Sequence, residues 1–157
     1  MCIRDRDKII SGPEWLYKNI LKDKKVIAVS GTHGKTSVTS MIAHALINNG
    51  ENPSYLIAGI PKGFNKSWNL TESNYFVIEA DEYDSAFFDK RSKFIHYKPD
   101  ILLMQEIKTP DDNFPYAEFE KIGFSSNVFG QKSYNGVAIL SKKVLHPKKF
   151  KNHSPYR

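Results

Sequence analysis

Val26-Ile-Ala-Val-Ser-Gly-Thr-His-Gly-Lys-Thr-Ser-Val-Thr-Ser-Met-Ile-Ala-His-Ala-Leu46 is the stretch on which the fold turns. Its first four residues are apolar and rich in β-branching, the composition of a strand buried on both faces of a parallel sheet. The strand runs into Ser30-Gly-Thr-His-Gly-Lys-Thr-Ser37, after which Val38, Met41, Ile42, Ala45 and Leu46 recur at the spacing of one helix face. Gly50 closes that helix as a C-cap. A strand passing through a glycine turn into a helix gathers backbone N–H groups and the positive end of the helix dipole around one point, where anionic phosphate is stabilised. Gly31 and Gly34 let the backbone approach closely, Lys35 brings a point charge to the terminal phosphates, and the Thr36 hydroxyl can complete a Mg²⁺ shell. Val29 stands where the general eight-residue pattern has its first glycine, so the match to that pattern is imperfect.

Outward from the loop, Ser11-Gly-Pro-Glu14 has capping-box form and predicts a helix through Trp15, Leu16, Ile20 and Leu21, ending near Lys22–Lys25. Tyr55–Ala58 and Tyr75–Ile78 read as two further strands, separated by a loop over Gly59–Ser73. This order opens an α/β layer fold with a parallel sheet and flanking helices. Glu79 ends the second of these strands at the carboxyl edge, where open α/β sheets hold their ligands, and its carboxylate is a hard-oxygen donor for Mg²⁺. Asp81, Glu82 and Asp84 read as an acidic surface turn, His33 as shaping the loop, and His44 as lying on a helix flank without a role. Beyond Lys98 the rhythm changes. Asp100–Met104 reads as a strand, Pro115–Lys121 as a short helix closed by Gly123, and Phe124–Phe129 with Gly136–Leu140 as a strand pair whose turn is Asn135-Gly136.

Length and composition bound the function. A chain of 157 residues can bury one ordinary core, and 40% hydrophobic with 25% charged residues argues against wholesale disorder. Cys2 is the sole cysteine, which excludes an intrachain disulfide. The first ten residues mix charges with no apolar segment, so no signal peptide is expected, and no apolar run reaches bilayer length. A cytoplasmic location without a membrane partner follows as the expectation. The net charge of +6 resides in Lys142, Lys143, Lys148, Lys149, Lys151 and Arg157, which leaves residues 1–140 neutral. This end reads as a solvated tail, with weak, non-specific and salt-sensitive DNA contact as the alternative.

Ala28-Val-Ser-Gly-Thr-His-Gly-Lys-Thr-Ser through Leu46 resembles the ATP loop and following helix of the Mur ligases, whose loop has this shortened form. Phe76 to Asp100, FVIEADEYDSAFFDKRSKFIHYKPD, narrows the resemblance to the murein peptide ligase branch, and Ser11–Leu21 is similar to that family's linker into its central domain. The resemblance covers roughly Asp7 to Met104. It implies an ATP-dependent amide-bond former of peptidoglycan recycling, working through an acyl phosphate on UDP-N-acetylmuramate that the amine of the tripeptide L-Ala-γ-D-Glu-meso-diaminopimelate attacks. Carried onto this chain, Gly31, Thr32, His33, Gly34, Lys35 and Thr36 hold the ATP phosphates. Lys35 is the catalytic residue that steadies the γ-phosphoryl, and Thr36 with Glu79 binds Mg²⁺.

From the same point onward, Lys98 to Lys142 (KPDILLMQEIKTPDDNFPYAEFEKIGFSSNVFGQKSYNGVAILSK) resembles the exodeoxyribonuclease III family of Mg²⁺-dependent phosphodiesterases. That resemblance implies Glu106 as a metal ligand and Asn135–Leu140 as a structural strand of an α/β sandwich. The expected organisation is a non-native lead over 1–10, in which MCIRDR resembles a translated adapter remnant, then a linker helix over 11–24. A partial ATP-binding central domain over 25–100, a partial nuclease-like fragment over 101–145 and a basic tail over 146–157 follow. The change of resemblance between Lys98 and Met104 implies a join of two parents. Such a chain is expected to be inactive as a ligase and to bind Mg²⁺-ATP weakly, with a DNA-repair nuclease fragment or a functionless artefactual fusion as alternatives. The second half is expected to pack poorly on the first and to leave strand edges open.

Overall fold

The computed structural model describes residues 9–81, 84–86, 89–133 and 135–143, with backbone alone for 84–86. Most of the expected lead, Glu82, the Asp84 side chain and the whole basic tail therefore lie outside the described residues.

Ser11 caps the first helix: its Oγ accepts the Glu14 N–H at 3.3 Å, and Pro13 sits in the first turn, where a missing N–H costs nothing. Helix α1 (Gly12–Leu16) passes directly into a π-helical turn over Tyr17–Leu21, so the expected single helix is an α turn followed by a wider one. Strand β1 (Lys25–Gly31) and helix α2 (Lys35–Asn48) flank the glycine loop. Strands β2 (Ser54–Leu56), β3 (Trp68–Asn69) and β4 (Tyr75–Glu79) come next, and β3 lies within the segment read as pure loop. A hairpin of β5 (Asp84–Ala86) and β6 (Asp89–Ser92) leads into helix α3 (Lys93–Tyr97). Strand β7 (Ile101–Gln105), helix α4 (Tyr116–Lys121), β8 (Ser125–Phe129) and β9 (Val137–Ser141) complete the chain. No helix among the described residues is long and apolar enough to cross a membrane.

Seven strands form one mixed sheet in the order β3-β2-β4-β1-β7-β9-β8. The three inner pairings of the first half and the join, β2–β4, β4–β1 and β1–β7, are parallel; β3, β9 and β8 run antiparallel to their neighbours. The poor packing expected between the halves is therefore overturned. Ile101–Gln105 offers a further apolar strand, and it occupies the edge of β1 in the register Ile27↔Ile101 to Gly31↔Gln105. Asp100 fixes that register. Its N–H donates to the Val26 carbonyl at 2.9 Å, its Oδ2 accepts the Val26 N–H at 2.9 Å, and its carbonyl accepts the Lys142 N–H at 3.0 Å. One apolar core spans the join, with Leu21, Val26, Phe76 and Ile78 from one side packed with Leu102, Phe114, Ala138 and Leu140 from the other.

The helix face read from sequence also needs correction. Thr39 and Ala43 are the buried residues of α2, Ile42 and Leu46 pack beside them, and Met41 and Ala45 face outward. Thr39 can turn inward because its hydroxyl donates to the Lys35 carbonyl at 2.7 Å, leaving no unsatisfied polar atom.

Candidate phosphate-binding site

Parallel pairing of β1 with β4 places Val29 opposite Glu79, so both strands end at the same edge of the sheet. From that edge the chain turns through Gly31 at φ +132° and Gly34 at φ +78°, conformations that a side chain rarely adopts. Space argues the same way. A Cβ on Gly31 would meet the Gln105 carbonyl oxygen at 2.3 Å, and one on Gly34 would meet Gln105 Oε1 at 2.4 Å. Glycine is thus required on the side of the loop that faces β7.

Helix α2 begins at Lys35 and carries Thr36 to Glu79. The Thr36 hydroxyl donates to Glu79 Oε1 at 3.0 Å, and the Ala58 N–H donates to Oε2 at 3.1 Å. Lys35 folds onto its own loop: its ammonium donates to the carbonyls of Gly31 at 2.7 Å and Thr32 at 3.2 Å. It also lies 3.7 Å from Asp81 Oδ1. Asp81 in turn accepts a short hydrogen bond from Lys93. That bond, with the positive charges of Lys93 and Lys35, holds the Asp81 carboxyl below its ordinary value against the opposing effect of burial.

The β7 side supplies further contacts. His33 is exposed, and its Nδ1 lies 3.0 Å and 3.3 Å from the two oxygens of Glu106. Lys108 donates to Thr32 Oγ1 at 3.0 Å. Glu106 and Lys108 have φ of +52° and +57°. A left-handed non-glycine residue costs about 1–3 kcal/mol, so this exit from β7 is a strained one held by its surroundings.

All the residues singled out from the sequence, Gly31 to Thr36, Glu79 and Glu106, come to the carboxyl edge of the sheet. They divide into two sets there: Glu79 engages Thr36 and Ala58, whereas Glu106 engages His33. Neither Glu79 nor Glu106 belongs to a group of three possible metal ligands among the described residues. Thr36 and Glu79 suit Mg²⁺ better, because both are hard-oxygen donors and two neighbouring ligands of that ion, each ~2.1 Å away, lie about 3 Å apart. Four residues at the site escaped the sequence reading. Asp81 reads in the sequence as a surface acid, and Lys93, Gln105 and Lys108 carry no signal there. Only Asp81, two residues beyond the strand end, could have been found.

No family model matches the chain. A curated relative, the UDP-N-acetylmuramate–L-alanyl-gamma-D-glutamyl-meso-2,6-diaminoheptandioate ligase of Haemophilus influenzae, is 54% identical over 100 residues, covering 64% of this chain and 22% of the relative. The chain spans about a fifth of the length of such curated relatives. The crystal structure of the UDP-N-acetylmuramate:L-alanyl-gamma-D-glutamyl-meso-diaminopimelate ligase from Neisseria meningitides superposes with a TM-score of 0.58 at 50% identity, over 59% of this chain and 32% of that one. An AP endonuclease from Archaeoglobus fulgidus is 45% identical over 32% of this chain and 20% of its own, at a TM-score of 0.31. The stretch that resembles murein peptide ligases in sequence therefore resembles them in its mixed α/β sheet as well.

Proposed function

We propose that this chain carries the nucleotide-phosphate site of a ligase of the murein peptide ligase kind, and that it binds Mg²⁺-ATP weakly through Gly31–Thr36. The observation that supports this most is the Thr36 hydroxyl bonded to Glu79 at the mouth of a loop whose two glycines stand at positive φ. In the reaction this reading implies, the γ-phosphoryl of ATP passes to the lactyl carboxylate of UDP-N-acetylmuramate. The amine of the murein tripeptide then displaces phosphate to form the amide. The work would take place in the cytoplasm.

The roles follow from charge. Backbone N–H groups at the start of α2 face the phosphates, and the Lys35 ammonium exchanges its two carbonyl partners for γ-phosphoryl oxygens. Thr36 and Glu79 would hold Mg²⁺, and the ion would supply charge neutralisation for the phosphoryl oxygens. Asp81, bonded to Lys93, gives Lys35 a second resting contact beside the loop. Glu106, 3.0 Å from His33 Nδ1, keeps that exposed ring against the loop.

Titration of the chain with ATP, with and without Mg²⁺, tests the proposal by calorimetry and by melting temperature. Weak, Mg²⁺-dependent binding is expected, with a small rise in melting temperature that vanishes in Lys35→Ala. Glu79→Gln should remove the Mg²⁺ dependence while sparing most of the Mg²⁺-free affinity. Binding that survives Lys35→Ala unchanged would place the nucleotide elsewhere.

A further inference from the structure

A second group of ligand-type side chains gathers where helix α1 meets β6 and α3, remote in sequence from the loop. Glu14, Asp89 and His96 each offer one ligand atom, and the three atoms lie within 4.8 Å of one another. They come from three separate elements. The His96 side chain is 4% exposed and that of Asp89 9%, while Glu14 at 30% is the solvent-facing member.

His96 is the informative residue. Its Nε2 lies 2.9 Å from Asp89 Oδ2, yet outside hydrogen-bonding geometry, and the atom has no hydrogen-bond partner. A buried ring nitrogen left in that state is costly and calls for an explanation. A nitrogen and an oxygen this close, outside hydrogen-bonding geometry, are arranged as neighbouring ligands of one cation. Two donors ~2.1 Å from a divalent ion lie about 3 Å apart. The rest of the cluster has partners. Asp89 Oδ1 accepts from the Arg91 backbone N–H at 3.2 Å and from Nε at 2.9 Å, and Oδ2 accepts from Nη2 at 2.9 Å. Glu14 Oε1 accepts from Lys18 at 2.7 Å. Arg91 leaves one lone pair of Oδ2 unused, and Lys18 is exposed and readily displaced.

We propose that Glu14, Asp89 and His96 form a binding site for a divalent transition-metal ion, Zn²⁺ foremost, which clamps helix α1 onto the β6–α3 unit. One imidazole nitrogen with two carboxylates suits borderline ions such as Zn²⁺ and Co²⁺, whereas Mg²⁺ and Ca²⁺ take oxygen donors. The exposed side at Glu14 admits the ion and leaves room for water to complete its shell. The site is independent of the phosphate loop and of the nucleotide proposal.

Titration of the full chain with Co²⁺ in phosphate-free buffer without nucleotide provides the test, because visible Co²⁺ absorption bands report coordination directly. A 1:1 spectrum is expected, displaced by one equivalent of Zn²⁺, together with a Zn²⁺-dependent rise in melting temperature. Glu14→Gln and His96→Gln should each weaken binding at least tenfold. Lys18→Met should tighten it a few-fold, since it frees Glu14 from a competing cation; a cluster of ion pairs without metal has no such response. His96 is buried and its variant can fail to fold, so Glu14→Gln, on a partly exposed side chain, decides the matter. Absence of a 1:1 spectrum, or a spectrum unchanged in Glu14→Gln, overturns the proposal.

Discussion

The two flanks of β1 finish their strands in different ways. Toward β4, Glu79 has partners on both oxygens and the left-handed backbone falls on glycines. Toward β7, the chain leaves through Glu106 and Lys108, two non-glycine residues in left-handed conformation. The faces differ too. Phe76, Val77 and Ile78 of β4 are all buried, as a strand covered on both sides should be, whereas β9 alternates, burying Ala138 and Leu140 and exposing Val137 and Ile139. Phe129 at the end of β8 is exposed at 65%. The first flank carries the proposed ligand edge; the second extends the sheet and fills the core, and leaves an apolar face toward water.

That contrast can be broken most forcefully at the shared core. Leu140→Ala on β9 should destabilise the chain by about 2–5 kcal/mol, the usual cost of emptying a buried leucine site. Urea unfolding followed by the fluorescence of Trp15 and Trp68, both on the first flank, should shift by the full amount. A loss confined to β8 and β9 with the tryptophan signal unmoved would show that the flanks unfold separately. At the join itself, Asp100→Ala deprives the Val26 N–H of its carboxylate partner and should cost about 1–3 kcal/mol, much of it recovered in Asp100→Asn.

The acid response sharpens the comparison from the first flank alone. Hydrogen bonds from Arg91 hold the Asp89 carboxyl at about 2 instead of 3.8. The stability it contributes is complete above pH 4 and is lost as the pH falls from about 4 toward 2. Circular dichroism across that window should show a shallower acid limb in Asp89→Asn. At the other extreme, burial, aided by the charge of Asp81, pushes the Tyr97 hydroxyl up to about 12, so stability should decline as the pH rises from 10 toward 12 and Tyr97→Phe should remove that decline. The smallest change in stability belongs to the exposed face. Phe129→Thr should alter it by no more than about 0.5 kcal/mol while reducing self-association measured by light scattering.

The parts of this molecule that sequence made legible are those written locally. The apolar run Val26–Val29, the glycines of the loop and the terminal position of Glu79 each reveal themselves within a few residues, and β1, α2, β4, β7, α4 and the β8–β9 pair follow from such signals; Asn135-Gly136, read as the turn of that pair, instead ends a longer link after Phe129 and accepts from Lys108 and Ile107. The short β5–β6 hairpin and α3, with Asp89-Lys-Arg-Ser92 in a strand, carry no periodicity of either kind and escaped reading. The buried stripe of α2 was misjudged because the sheet, and not the helix, decides which side turns inward. The least legible contacts are the longest: Ile27 pairs with Ile101, and His33 meets Glu106 across 73 positions. The resemblance changes near Lys98–Met104 while the sheet continues through it, because a strand needs only apolar residues and free backbone partners to join its neighbour.

One consequence rests with Lys35. Its ammonium is already bonded to Gly31 and Thr32, so an arriving polyphosphate finds its cation in use. Under the proposed nucleotide reading, the two carbonyl bonds given up offset part of what the phosphate gains from the lysine, so the net affinity is set by a difference between two hydrogen-bonded states.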